Sequence, residues 1–166
     1  MVAVTRQFWL DSYGSIRFPF GNSQQSNSIV VIHDAFQPLS SWNGFMTPPQ
    51  HQGVIMDTHK YQIFSNGEVA RSRQEHINAA CSLRGELSSF SLWVVVGEWT
   101  PAPTDCARYL NGRGVGARFD GTFPGSPRLG NCADFTGSAS NFSPDYKRFL
   151  RQYWEAQVRF RFGMCA

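Results

Sequence analysis

Charge is scarce in this sequence. Only 16% of its 166 residues are charged, and its fifteen basic residues are scattered with no basic run. Phosphate affinity rests on clustered cations, so nucleic acid is excluded as a partner. No stretch approaches the roughly eighteen consecutive apolar residues of a membrane span. The four cysteines (Cys81, Cys106, Cys132 and Cys165) show no Cys-x-x-Cys spacing, which argues against zinc and thioredoxin-type chemistry. There is no glycine-rich phosphate loop, no internal repeat and no low-complexity segment. The opening Met-Val-Ala-Val-Thr-Arg-Gln lacks the basic start and long apolar stretch of a signal peptide.

What is present is the material of a core. Hydrophobic residues make up 42% and aromatics 14%, so the chain is core-forming rather than disordered, and its length suits one domain or part of a larger one. An even cysteine count in a charge-poor, aromatic-rich chain suits a secreted, disulfide-bearing protein. Residues 5–17 read as a helix with Trp9, Leu10, Tyr13 and Ile16 on one face. Ile29–Ile32 and Gly53–Asp57 read as buried strands, the first running into His33-Asp34-Ala35-Phe36-Gln37. A helix is expected over 68–84, with Val69, Ala70, Ile77, Ala80 and Cys81 sharing a face, and a short helix over Pro103–Leu110. Residues 111–142 form a long loop rich in Gly, Asn, Ser and Pro, a length that signals function or a staple. Ser143 and Pro144 open a last helix with the stripe Tyr146, Phe149, Leu150, Tyr153, Trp154 and Phe160.

The pattern turns on Val94-Val95-Val96-Gly97-Glu98-Trp99-Thr100. Three β-branched residues predict a strand buried on both faces. It ends in a carboxylate followed by an indole, and a charged group at the mouth of a buried strand needs a reason. Such a glutamate can act as nucleophile or acid/base in glycoside hydrolysis, with the aromatic against a sugar face, or it can simply pair with an arginine. The order helix, strand, strand, helix, strand, helix gives an α/β fold with parallel strands. A barrel and a flavodoxin-like open sheet are the competing geometries.

Read together, the strand ends resemble fungal exo-β-1,3-glucanases, retaining glycoside hydrolases on the (β/α)8 barrel. The matching segments are Ile32-His33-Asp34-Ala35-Phe36-Gln37, Asp57-Thr58-His59-Lys60-Tyr61-Gln62-Ile63-Phe64-Ser65, Val96-Gly97-Glu98-Trp99, Thr104-Asp105-Cys106 and Leu110-Asn111-Gly112, in the family's order. The resemblance implies Glu98 as catalytic nucleophile, with His59 and Tyr61 beside it. It implies Phe64, Trp99 and Asn111 as substrate-binding residues. It further implies a β-1,3-glucan substrate releasing terminal glucose, no cofactor, no metal, and an extracellular or cell-wall location.

Two departures stand beside these matches. The family ends its sixth strand in three histidines, where this chain has Thr58, His59 and Lys60. The family's acid/base glutamate lies in an Asn-Glu-Pro motif, which occurs nowhere here. The expectation is therefore a partial TIM (β/α)8 barrel: a C-terminal-half fragment lacking the first four strands and the last, with residues 1–162 as the incomplete barrel domain and 163–166 as an unrelated tail. The alternative expectation is a non-catalytic β-glucan-binding remnant held by Trp42, Phe64 and Trp99, or a non-functional truncated product. Cys106 and Cys132 are expected to form a disulfide closing the loop after the Glu98 strand, which the loop-entropy model values at roughly 3.5 kcal/mol. Cys81 is expected to lack its family partner, with Cys165 a poor substitute.

Overall fold

The computed structural model describes residues 2–21 and 24–159. In chain order its main elements are α1 (Val2–Arg17), β1 (Val30–His33), β2 (Val54–Lys60), α2 (Asn66–Val69), α3 (Arg73–Ser89), β3 (Trp93–Trp99) and α4 (Pro144–Arg159). The strands form one parallel sheet in the order β1-β2-β3. The chain divides into two compact units, Met1–Lys60 with Glu86–Trp99, and Tyr61–Gly85 with Thr100–Ala166.

The first unit holds the sheet. Tyr13, Val30, Ile32, Leu39, Trp42, Met46, Val54, Met56 and Leu92 form its buried core. Burial alternates along the strands: Val30 and Ile32 are buried while Val31 between them is exposed, and Val54, Met56 and Thr58 are buried while their neighbours are not. That alternation marks a sheet with one covered face. The expected double-sided burial of the Val94–Val96 run is not found. Val95 is exposed and Val94 and Val96 are half-buried, because the core packs against one side of β3 only. Helix α1 likewise buries a narrower stripe than expected, since Tyr13 is inside while Leu10 and Ile16 are exposed. Its polar atoms help to hold it: Trp9 Nε1 donates to the His33 carbonyl at 3.2 Å, and Tyr13 OH donates to the Gln52 carbonyl at 3.1 Å.

The second unit is built on α3 and α4. Ala80, Tyr146, Phe149, Tyr153 and Ala156 are buried together, with Ile77, Cys81 and Leu150 packed against them. Ser143 caps α4, its hydroxyl accepting from the Tyr146 N–H at 3.1 Å. Trp154 is exposed, and Phe160 lies outside the described residues, as do residues 163–166. The helix expected over 68–84 is two helices. Ser65 and Glu68 make one reciprocal capping box and Ser72 and Glu75 a second, so the ladder restarts at Arg73. Pro103–Leu110 is not helical. Tyr109 has φ +68°, outside the right-handed helix, and the segment closes only an i to i+3 turn from Leu110 N–H to the Ala107 carbonyl. Cys106 and Cys132 are disulfide-bonded across 26 positions. Cys81 is disulfide-bonded too, against expectation, and Cys165 lies outside the described residues.

One buried group makes the second unit acid-sensitive. His76 is 1% exposed, its Nδ1 lies 3.0 Å from Gln62 Oε1, and its Nε2 has no hydrogen-bond partner. Gln62 Oε1 also accepts from Arg71, which fixes it as an acceptor and Nδ1 as the protonated nitrogen. Burial, reinforced by the Arg71 charge, lowers the His76 pKa from 6.5 to about 4, against the opposing pull of Glu68 and Glu75. The unfolded chain therefore binds a proton more readily than the folded one. Full stability is present above pH 6.5 and falls as pH drops towards 4, by on the order of 3 kcal/mol. Denaturant midpoints measured between pH 7 and 4 should show this slope, and His76→Gln should flatten it. An equal slope in both proteins assigns the acid sensitivity elsewhere.

Candidate active site

All three strands of the first unit end at the same side of the sheet, as parallel pairing requires. β1 delivers His33, β2 delivers Asp57 and His59, and β3 delivers Glu98 and Trp99. His33 pairs with Asp57 in register, and Asp57 pairs with Val95. The β2–β3 register then slips by one: Thr58 opposes Val96, but His59 opposes Glu98, so Gly97 is passed over. This bulge matters because a one-residue slip exchanges the faces of a strand. Glu98 thereby comes abreast of His59, with its Oε2 3.2 Å from His59 Nδ1.

The imidazole sits between two acids. Its Nε2 is 3.4 Å from Asp57 Oδ2. The His33 and His59 rings meet edge-on with centroids 4.4 Å apart, and the exposed Phe36 ring stands 5.0 Å from His33 and 5.7 Å from His59. Glu98 is more than half exposed, so its carboxylate is presented to whatever enters. One neighbour of this glutamate is thus a histidine.

Behind the site, a strained turn is over-determined. Ala35 and Phe36 both have positive φ, at 53° and 58°. The buried Asp34 holds them: its Oδ1 accepts the Phe36 N–H at 2.8 Å and its Oδ2 accepts the Thr58 hydroxyl at 2.5 Å. Trp42 Nε1 donates to the Asp34 carbonyl at 2.9 Å, and the Trp42 ring is completely buried. Trp42 is therefore a core residue and not a sugar platform. Lys60 also has a structural partner, with its Nζ 3.4 Å from Glu86. The two positions where the resembled family carries histidine are thus tied into the scaffold.

Tyr61, Phe64 and Asn111 belong to the second unit. The Tyr61 and Phe64 rings meet edge-on at 5.4 Å, and Phe64 is exposed. Asn111 spends its amide hydrogens on Asp105 Oδ2 at 2.8 Å and the Gly116 carbonyl at 3.0 Å, and accepts from Arg118 at 2.7 Å. One acceptor position on its Oδ1 remains.

His33, Asp57 and His59 offer three ligand atoms within 4.8 Å of one another. A metal needs a bare nitrogen from each ring. His33 Nδ1 already accepts the Ala35 N–H at 3.1 Å, which leaves the ring proton on Nε2. Both His59 nitrogens lie near carboxylate oxygens, Nδ1 without forming a hydrogen bond. The cluster is a chain of acid, imidazole and acid rather than a ligand cage.

His33, Phe36, Asp57 and Gly97 were quoted in the sequence motifs without a role. The signal that could have found them is strand-end alignment, since parallel strands deliver their last residues to one place.

No family model matches the chain. It is 40% identical over 153 residues to glucan 1,3-beta-glucosidase of Schwanniomyces occidentalis, covering 92% of the chain and 35% of that protein. It is 41% identical over 157 residues to glucan 1,3-beta-glucosidase of Blumeria graminis, with 92% and 35% covered. It is 47% identical over 134 residues to probable glucan 1,3-beta-glucosidase A of Aspergillus niger, with 80% and 32% covered. The chain thus spans about a third of the length of these relatives.

Proposed function

We propose that this chain carries the nucleophile side of a retaining exo-hydrolase of β-1,3-glucan, and that its sheet is an arc of a (β/α)8 barrel. The observation that carries this reading is Glu98 at the end of a parallel strand, presented to solvent beside His59. In a barrel, the C-terminal ends of the strands are where catalysis sits. The relatives' names supply the substrate class. The Glu98 carboxylate attacks the anomeric carbon, the bond to the departing sugar breaks, and water then hydrolyses the glycosyl ester. Trp99, next along the strand, is the candidate platform for a sugar face. Tyr61, Phe64 and Asn111 enter through the resemblance alone. A β-glucan substrate and at least one disulfide fit an extracellular or wall location.

The sequence has no Asn-Glu-Pro, so the test removes the need for an acid. A 2-deoxy-2-fluoro-β-glucoside with a dinitrophenolate leaving group departs without protonation and accumulates as the glycosyl ester. The chain should release one equivalent of dinitrophenolate and carry the fluoroglucosyl group on Glu98, seen by peptide mass spectrometry. A folded chain that stays unlabelled, or is labelled at another residue, overturns the nucleophile reading.

A further inference from the structure

We propose that Asp57 is the positioning residue of this site: its carboxylate pins the Gly97 bulge and so sets Glu98 beside His59. The catalytic consequence rests on reading Glu98 as the nucleophile, whereas the structural part stands on the geometry alone.

The bulge removes Gly97 from the β2–β3 ladder and leaves its N–H, on an exposed residue, open to an acceptor other than the neighbouring strand. Asp57 Oδ1 accepts that N–H at 2.9 Å. The approach needs glycine, because a Cβ at position 97 would collide with Asp57 Oδ1. The second oxygen of the same carboxylate lies 3.4 Å from His59 Nε2, and the other nitrogen of that ring lies 3.2 Å from Glu98 Oε2. One side chain therefore holds both the backbone that carries Glu98 and the ring that faces it. Without the slip, the Thr58–Val96 pairing would continue with Gly97 opposite His59 and Glu98 opposite Lys60. Glu98 would then leave the imidazole. A bulge that re-aims a side chain is a recurring device beside active sites.

The test uses the full chain, ¹⁵N-labelled, as wild type, Asp57→Ala and Asp57→Asn. In Asp57→Ala the Gly97 amide should exchange with solvent at least about tenfold faster, while the Val54 and Met56 amides keep their protection and report an intact sheet. Asp57→Asn still offers a carbonyl to Gly97, so that amide should stay within about threefold of wild type. Its NH2 group replaces the charged oxygen 3.4 Å from His59 Nε2, so the ring-nitrogen resonances of His59 should move. The rate of fluoroglucosyl labelling at Glu98 should fall by about a hundredfold in Asp57→Ala, with the half-saturating glycoside concentration little changed. A Gly97 amide that exchanges at the wild-type rate in Asp57→Ala overturns the pinning, whatever the labelling shows. Unlabelled wild type sinks the nucleophile reading instead, and the amide measurement still decides the role of Asp57. Unchanged labelling in Asp57→Ala, with Gly97 released, overturns the catalytic part.

Discussion

Glu98→Gln should stop transfer of the fluoroglucosyl group to the chain, a loss of roughly ten-thousandfold or more. An amide keeps the shape of the side chain but cannot form the glycosyl ester. Little else should change, because Glu98 is more than half exposed. Surface substitutions of this kind move stability by no more than about 0.5 kcal/mol. The intended contrast is thus an unaltered denaturation midpoint with chemistry removed. Glu98→Asp sharpens it. Shortening the side chain by one methylene draws the carboxylate away from His59, and a misplacement of about 1 Å in a reacting group can reduce rate by about a hundredfold. Labelling of Glu98→Gln at the wild-type rate would take Glu98 out of the mechanism.

The elements whose period and caps lie in adjacent residues were legible in the sequence. Ser143 and Pro144 announced α4, and the β-branched runs announced β1 and β3, within a residue or two of where they fall. The errors came where tertiary contacts override local preference. Val94–Val96 reads as doubly buried because β-branched residues carry no mark of which face is covered. Pro103–Leu110 has helical composition, but the Asp105 carboxylate is bound to residues 111, 118 and 119, contacts no local window contains. The break between α2 and α3 was the exception. Both Ser-x-x-Glu boxes stand in plain sequence, at Ser65–Glu68 and Ser72–Glu75, and periodicity alone passed over them.

The site was legible as residue types and not as geometry. Glu98 could be named from a strand end and His59, beside it, only from the resemblance, while the one-residue slip that brings them abreast follows from no spacing rule. The signal is Gly97 directly before Glu98, and glycine within a strand is a known marker of a bulge. Trp42 misled for the opposite reason. Aromatic residues suit sugar faces and cores equally, and only the hydrogen bond from its ring to Asp34 and its complete burial decide between them.

Asp105→Ala should destabilise the second unit by about 3–5 kcal/mol. Asp105 is 1% exposed and accepts from four donors: the Arg118 N–H at 2.7 Å, Asn111 Nδ2 at 2.8 Å, the Phe119 N–H at 3.1 Å and the Arg118 guanidinium at 3.2 Å. Burial opposes the charge, but these donors outweigh it and hold the carboxyl below its ordinary pKa. Replacing pair and partners together by apolar groups can be nearly neutral. Removing the acid alone leaves the half-buried guanidinium unpaired and two backbone N–H groups without acceptors. The loss should spread to Asn111, which loses one of its three bonds and with it the orientation of its remaining acceptor position. Because the folded pKa is depressed, the stabilisation by Asp105 is present above the ordinary carboxylate range and is lost as pH falls through the folded value. Guanidinium denaturation at pH 7 with the disulfides intact reads the effect directly. A loss under about 1 kcal/mol would mean that water replaces the carboxylate, and that this buried acid is not the centre on which residues 105–119 are fixed.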